Sequence, residues 1–191
     1  MTEENSNTSQ YMGKLLIANP NNPRNESYRS VHMIVTHLPN LAVCIQINNP
    51  HKDLTLSRVS RNIGIDHTGE SPIYFGGSNN QHKIHILHSL DWSGVGTTIL
   101  TEHIGLTSDI SVLMALAKSQ GPKYFRACSG YWTWEDGRLD VEIEGSVSLI
   151  EDPYRWELLD ATIENTFLTA PDQQWIKCIE SLAKQKVSVW L

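Results

Sequence analysis

Residues 30–47, SVHMIVTHLPNLAVCIQI, carry the clearest fold signal in the chain. Over residues 30–38 apolar residues alternate with others, as they do on a strand with one buried face. Residues 42–47 form a mostly apolar second run that stops at Asn48, and Pro39-Asn40 separate the two runs. Two short strands joined by turn-forming residues predict a β-hairpin. We therefore expect the domain to be built around a sheet that contains this hairpin.

Further strands are predicted on both sides of the hairpin. Each is a short apolar or alternating run bounded by residues that favour turns. The runs are 14–18, 73–75, 83–88, 97–103 and 123–131. The run at 73–75 leads into Gly76-Gly77, and we expect this pair to form a turn that requires positive φ.

Three helices are predicted among these strands. The first is capped by Asp53, the second begins at Thr107-Ser108-Asp109 and stops at Gly121-Pro122, and the third begins near Pro171. Strands and helices follow one another without a regular βαβ period, which favours a mixed α+β domain over a doubly wound sheet. The predicted inward residues are Leu56, Val59 and Ile63 in the first helix, Ile110, Leu113, Met114 and Ala117 in the second, and Trp175, Ile176, Ile179, Leu182 and Ala183 in the third.

The length and composition fit one soluble domain. The 191 residues predict a single unit over 13–191, preceded by a polar tail at 1–12 that we expect to be disordered. We see no secretory leader and no apolar run long enough for a membrane helix. The three cysteines lie far apart without a Cys-x-x-Cys pair, so neither a disulfide framework nor a cysteine zinc site is predicted. These features predict a cytoplasmic protein.

The net charge of −6 is unevenly distributed. Residues 135–164 hold ten acidic side chains and two arginines, so this segment carries −8 and the rest of the chain +2. Apolar residues alternate with acids over 139–143, which predicts a strand, and 147–149 mirror that pattern after a short loop. We predict an acidic β-hairpin over 138–156, followed by a helix over 154–164.

This acidic segment has two interpretations. It is either a solvated face or a surface that contacts a protein partner with a basic patch, where charge would chiefly change the association rate and its salt dependence. Direct nucleic-acid binding is disfavoured, because the chain shows neither a helix-turn-helix pattern nor a basic stripe. The candidate partner-binding residues are Asp140, Glu142, Glu144, Glu151 and Asp152.

No motif predicts a metal, a cofactor or a catalytic group. The histidines at 82, 85 and 88 fall on opposite faces of a strand and do not form a three-ligand set. Gly94-Val95-Gly96 lacks the third glycine of a dinucleotide-binding loop. Ser129 lacks the first glycine of a nucleophile elbow, and Cys128 would need a nearby base that the sequence does not reveal.

Several stretches resemble the AlgH/YqgE family of bacterial proteins, in the same order along the chain. Some positions depart from the family pattern. Asn40-Leu41-Ala42-Val43 stands where the family has a glycine-rich hairpin, Ser78 stands where it has a proline, and Phe167 stands where it has a tryptophan. Residues 138–156 look inserted. The stretches that carry the resemblance, which spans about residues 13–185, are 13–20, 28–31, His37, 45–50, Gly76-Gly77, 86–88, Gly130-Tyr131 with Trp134 and Gly137, and 167–171.

The resemblance implies a compact mixed α/β fold around a partly closed sheet. The family is associated with transcriptional regulation, and it has no agreed catalytic residues that could be carried over to this chain. Residues 138–156 would then be an inserted hairpin.

We therefore expect a non-enzymatic regulatory domain that acts through protein contacts at the acidic segment. One alternative is a small-molecule-binding or anion-binding protein, or a hydrolase, with a pocket near Arg29, His37, Asn48 and His88, where Arg29 either holds an anionic group bidentately or forms a structural salt bridge. Another is a structural component of a larger assembly. That last alternative comes from the apolar residues 187–191, which otherwise predict an edge strand.

Overall fold

A computed structural model describes residues 10–20, 28–66, 70–144 and 156–188. The strands are β1 (Lys14–Ala18), β2 (Val31–Leu38), β3 (Leu41–Gln46), β4 (Pro50–Thr55), β5 (Pro72–Phe75), β6 (Asn79–Ser89), β7 (Thr98–Ile99), β8 (Ile104–Thr107), β9 (Phe125–Glu135) and β10 (Trp156–Asp160). The α-helices are α1 (Leu56–Asn62), α2 (Ser111–Ala117), α3 (Arg138–Glu144) and α4 (Pro171–Ser188). A short π-helix covers Glu164–Leu168. In the described part of the chain, no helix is long and apolar enough to cross a membrane.

The strands form one curled, largely antiparallel sheet. Eight of them lie side by side in the order β10-β1-β2-β3-β9-β6-β8-β7. Strand β5 runs parallel to β9 and pairs with β4 on its other side. The hairpin predicted from residues 30–47 is β2–β3, with Leu38 opposite Leu41. The mixed class built around a partly closed sheet is thus confirmed.

Two apolar clusters cover different parts of the sheet. The larger one lies around β1, β2 and β3, where Leu15, Leu16 and Ile17 are all fully buried, so both faces of β1 are covered. Helix α4 contributes Trp175 and other residues to it. The smaller cluster joins α1 and α2 to β5, β6 and β9, and Leu56, Ile73, Ile86, Val112, Leu113 and Ala127 form its buried part.

Gly76 and Gly77 are required for close packing and not for a turn with positive φ. Neither has a positive φ, so that expectation is wrong. A Cβ at Gly76 would overlap the Gly130 carbonyl oxygen, and one at Gly77 would overlap the Tyr131 carbonyl group. Backbone segments approach here more closely than any side chain allows.

The first two helices begin later than the sequence predicts. Asp53 lies within β4, and the N-cap of α1 is Thr55, whose Oγ1 accepts from the Arg58 N–H at 3.3 Å. Because α1 ends at Asn62, Ile63 lies beyond it and is 51% exposed.

Helix α2 has a different buried face from the predicted one. It begins at Ser111, where the Asp109 carboxylate accepts from the Ser111 N–H at 2.8 Å. The later start turns Ile110 and Met114 to solvent and buries Val112 with Leu113.

The acidic segment folds differently from the predicted hairpin. Residues 138–144 form α3, so the strand over 139–143 is wrong. The alternation over 139–143 puts apolar residues at 139 and 143, and residues four apart also lie on one face of a helix. In α3, Leu139 and Ile143 both pack against the core from that face. The second predicted strand, at 147–149, lies outside the described residues.

Other expected boundaries also change. Instead of the helix over 154–164, strand β10 pairs with β1, placing Asp160 opposite Lys14. The polypeptide from Pro171 to Ser188 is helical, so 187–188 do not begin a strand, and 189–191 lie outside the described residues. Tyr11 and Met12 pack against the core and belong to the domain and not to the expected tail.

Replacing Gly77 by alanine should strongly destabilise the protein. We expect Gly77→Ala to lower the free energy of unfolding by about 3 kcal/mol, because a backbone carbonyl occupies the space of the new methyl group. The control is Gly64→Ala, since Gly64 has a φ of +77° with no atom near its missing Cβ, and left-handed strain there costs about 1 kcal/mol. Urea denaturation measures both, and equal losses would contradict the packing explanation.

Candidate functional site

The structure brings two of the four predicted pocket residues into contact. Arg29 precedes β2 and Asn48 follows β3, and the Asn48 side-chain Nδ2 donates to the Arg29 carbonyl at 2.8 Å. His37 lies near the other end of β2, where its Nε2 is 3.0 Å from Asp140 Oδ1. His88 is fully buried within β6. Arg29 and Asn48 therefore form one site, from which His37 and His88 are separate.

The Arg29 side chain lies on two aromatic rings. Its Cζ is 5.1 Å from the centre of the Tyr28 ring and 5.5 Å from that of Trp175. The side chain is exposed, and it forms no ion pair with any other residue of the described ranges. A guanidinium held by aromatic faces keeps its hydrogen-bond donors available for a planar anion.

The backbone at Arg29 is held in an uncommon conformation. Its φ of 56° lies in the left-handed region, which costs a non-glycine residue about 1–2 kcal/mol. Asn48 bridges this turn, because its Nδ2 donates to the Arg29 carbonyl while its Oδ1 accepts from the Val31 N–H at 3.0 Å. The Trp175 ring is fixed in turn by its Nε1, which donates to the Ala18 carbonyl at 2.8 Å. The Arg29 guanidinium is thus positioned by β1, β2, β3 and α4 together.

A second arginine, Arg126 of β9, supports this arrangement from inside the protein. It is only 4% exposed. Its guanidinium donates to the Ile47 carbonyl, to Gln174 Oε1 at 2.6 Å and to the Thr169 carbonyl at 2.9 Å. Its Cζ also lies 4.9 Å from the centre of the Tyr74 ring. Arg126 therefore ties β9 to the end of β3 and to the start of α4.

The two arginines act on neighbouring residues. Arg126 donates hydrogen bonds to Ile47 and Gln174. The next residue after each, Asn48 and Trp175 respectively, contacts Arg29. We call Arg29, Asn48 and Trp175, with the supporting Arg126 and Gln174, the Arg29 site.

Arg126 is a buried charge without a carboxylate partner among the residues described. Burial lowers its pKa, and neutral carbonyl and amide oxygens accept its hydrogen bonds. A guanidinium stays protonated even when buried, so this end of the sheet holds a fixed positive charge. Sequence reasoning missed Arg126; the available signal was a single arginine inside the strand-like run 123–131.

Two of the five candidate partner-binding acids have internal roles instead. Glu142 is 5% exposed, and its Oε2 accepts from Trp134 Nε1 at 3.0 Å and from Trp156 Nε1 at 2.8 Å. Its Oε1 accepts from Arg138 Nε at 3.1 Å. Asp140 bonds His37 as described above. These contacts fasten α3 to the sheet.

The free acidic surface is accordingly smaller than the sequence charge indicates. Glu157 pairs with Lys186 at 3.0 Å, and Asp160 pairs with Lys14. Of the five candidate residues, Glu144 is exposed, while Glu151 and Asp152 lie outside the described residues. The acids of segment 135–164 that are exposed without an ion pair to another described residue are Glu135, Asp136, Glu144 and Glu164.

Comparison with known families identifies the fold family. The model of the AlgH-like family matches residues 15–186 of this chain. The chain belongs to the AlgH-like family. A UPF0301 protein from Sphingopyxis alaskensis is 28% identical over 169 residues, which cover 86% of this chain and 85% of that protein. Another UPF0301 protein, from Cereibacter sphaeroides (strain ATCC 17029 / ATH 2.4.9), is 33% identical over 138 residues, which cover 69% of this chain and 74% of that protein.

Solved structures share the fold of this AlgH-like chain. The solution structure of the AlgH protein from Pseudomonas aeruginosa superposes with a TM-score of 0.69 at 24% identity, covering 95% of this chain and 92% of that one. A crystal structure of a Corynebacterium diphtheriae protein superposes with a TM-score of 0.62 at 18% identity, and the match covers 81% of this chain and 78% of that one. The match supports the curled sheet with few helices. The family itself has no defined biochemical function.

The structure of this AlgH-like domain does place a histidine beside Ser129. Ser129 Oγ lies 3.0 Å from His51 Nε2 and 3.4 Å from the Tyr74 carbonyl. Ser129 is 3% exposed, however, so a substrate cannot reach its hydroxyl without rearrangement. Burial raises the pKa of Cys128 to about 12, which keeps that thiol protonated at neutral pH.

No metal site is formed by the residues that the structure describes. Within them, no three side chains of His, Cys, Asp or Glu lie close enough together to hold an ion. His85 instead lies 2.8 Å, through Nδ1, from Ser108 Oγ, and burial lowers its pKa to about 4. Ser129, Cys128 and His85 are all buried, whereas the Arg29 guanidinium is exposed and can reach a ligand. We therefore take the Arg29 site as the candidate functional site.

Removing Arg126 should destabilise the protein far more than removing Arg29. We expect Arg126→Met to lower the free energy of unfolding by about 3 kcal/mol, because three oxygen acceptors, two of them in buried hydrogen bonds, lose their donor. Arg29→Met, the matched substitution at the surface, should cost less than about 1 kcal/mol, the scale of a lost cation–π contact. Urea denaturation followed by tryptophan fluorescence measures both. Similar losses in the free energy of unfolding for Arg126→Met and Arg29→Met would show that the two arginines contribute equally to stability, against this prediction.

Proposed function

We propose that this AlgH-like protein is a non-enzymatic binding protein whose Arg29 site holds a planar or tetrahedral oxyanion of its ligand, a carboxylate or a phosphate. The observation that carries the proposal is the Arg29 guanidinium, which is exposed, lies on two aromatic rings and has no ion-pair partner among the described residues. Arginine presents paired donors that match such groups.

The position of the site in the fold supports this proposal. The described residues that meet there lie at the end of β1, directly before β2, directly after β3 and at the start of α4. They fall in or next to four of the stretches that resemble the AlgH/YqgE family: 13–20, 28–31, 45–50 and 167–171. The left-handed φ of Arg29 adds a second argument. Strained backbone persists where the surroundings enforce it, and it is common at binding sites.

The serine–histidine pair beside Arg29 is buried, which favours binding over catalysis: Ser30 Oγ lies 2.9 Å from His32 Nε2, and the two residues are 1% and 2% exposed. Of the hydroxyl and thiol groups tested above, Ser129 is on β9 and faces His51, and Cys128 is buried and protonated. Three buried thiols, Cys44, Cys128 and Cys178, fit a reducing compartment such as the cytoplasm.

A second candidate function is a protein contact made by the outward face of α3. Val141 is 41% exposed there, and Glu144 on the same helix is exposed next to it, while Glu135 lies in the strand that leads into α3. An apolar side chain beside acids suits a partner with a basic rim and an apolar centre. A regulatory role in transcription would act through this contact.

Anion binding at Arg29 is testable with small probes. We expect inorganic phosphate and acetate to shift the NMR signal of the Trp175 indole N–H, with an affinity that falls about tenfold in Arg29→Gln, the loss expected for one charge-assisted hydrogen-bonded pair. Arg58→Gln removes an exposed arginine from α1 and serves as the control. Titrations at constant ionic strength separate site binding from screening.

Equal affinities for Arg29→Gln and Arg58→Gln would refute the anion site. So would an unshifted Trp175 signal at saturating phosphate, because the indole ring lies directly beneath the guanidinium.

Partner binding by α3 predicts a charge-dependent interaction. Glu135→Lys combined with Glu144→Lys should weaken capture of a partner from lysate and make the remaining binding insensitive to salt. The matched control reverses two exposed acids elsewhere, Asp66 and Glu70, and changes the net charge by the same amount. Asp140 and Glu142 are left intact because they hold α3. If both double variants retain every partner equally, the acidic-face proposal fails.

A further inference from the structure

The helices α1 and α2 enclose a cleft that the proposed function does not use. It has a volume of about 370 Å³ and opens between the two helices over β6. Its walls are mainly aliphatic, with Val59, Ile63, Ile84, Ile110 and Leu113 among them. A cleft of this size lies within the range of small-ligand sites, which are mostly apolar with a few polar groups.

Large aliphatic side chains remain exposed at its mouth. Of the residues that line the cleft, Ile63 is 51% and Ile110 50% exposed. Met114, one turn beyond Ile110 and outside the cleft lining, is 48% exposed. These side chains do not belong to the buried cluster, which α1 and α2 form with Leu56, Val112 and Leu113 against the sheet. Clustered apolar exposure on a small domain marks a surface that another apolar group covers.

The mouth also carries a cation, Lys83. Lys83 lines the cleft, is exposed, and forms no ion pair with a described residue. The adjacent His82 also lines the mouth. The carboxylate on the opposite lip, Asp109, accepts a hydrogen bond from the Ser111 N–H at 2.8 Å and so faces the first turn of α2.

We propose that this cleft binds an aliphatic carboxylate, with the hydrocarbon chain between α1 and α2 and the carboxylate at Lys83. The aliphatic walls suit a flexible hydrocarbon body better than a ring, because no Phe, Tyr or Trp lines the cleft among the described residues. Charge complementarity selects the head group. An ammonium at the mouth favours an anion and disfavours a cationic amphiphile of the same chain length.

Calorimetric titration of the full chain with sodium decanoate, below its micelle concentration, tests the proposal. We expect saturable binding, at least tenfold weaker binding of decylammonium, and, in the Arg29→Gln variant, no detectable binding of acetate. Lys83→Gln should weaken decanoate binding about tenfold and Lys83→Arg should restore it. Lys118→Gln, which removes an exposed lysine at the end of α2 outside the cleft, should leave it unchanged.

Other results would overturn the proposal. Equal binding of decanoate and decylammonium would show adsorption to apolar surface only, and equal effects of Lys83→Gln and Lys118→Gln would exclude the head-group contact. Ile63→Gln lies at the exposed mouth and should weaken decanoate binding without unfolding the domain; wild-type affinity in that variant would place the ligand elsewhere. Arg29→Gln should keep the decanoate binding that depends on Lys83 and lose only the carboxylate binding that acetate shares, so failure of this cleft and failure of the Arg29 site are distinguishable.

Discussion

The buried guanidinium of Arg126 is the constraint on which this end of the fold depends. A charge that is 4% exposed persists only if its hydrogen bonds are satisfied, and here oxygens from three separate segments supply them. The end of β3, the loop after the π-helix and the first turns of α4 are therefore drawn to one point of β9. Asn48 and Trp175 follow directly from that point, and they place Arg29 at the surface.

Acidic residues are used in a comparable way at the other end of β2. Glu142 accepts from two tryptophan indoles and one arginine, and Asp140 bonds His37. The acidity of segment 135–164 is thus partly structural, because it fastens a helix to the sheet. Only its exposed remainder can act on a partner. A charge count along a sequence does not separate these two uses.

The sequence predicted the sheet better than the helices. Local patterns of apolar and turn-forming residues were enough to predict several elements, because tertiary packing leaves them in the expected place. These elements are the β2–β3 hairpin, strands β1, β5, β6 and β9, and the start of α4. The strand predicted at 139–143 failed because Leu139 and Ile143 satisfy both a period of two and a helical spacing of four, and only contact with the core selects the helix. The site was predictable in part: the resemblance and residue type indicated Arg29 and Asn48. Their link to Trp175, Gln174 and Arg126 joins residues about a hundred positions apart and is set by tertiary packing alone.

We infer that Arg126 positions the Arg29 site without contacting its ligand. Gln174→Leu tests this most directly, because it removes an acceptor of Arg126 while leaving both arginines and the net charge unchanged. The measurement is the phosphate affinity of this variant, followed by NMR. We expect the phosphate affinity of the folded variant to fall about fivefold, which corresponds to about 1 kcal/mol, the scale of one hydrogen bond. Wild-type affinity in folded Gln174→Leu would contradict it.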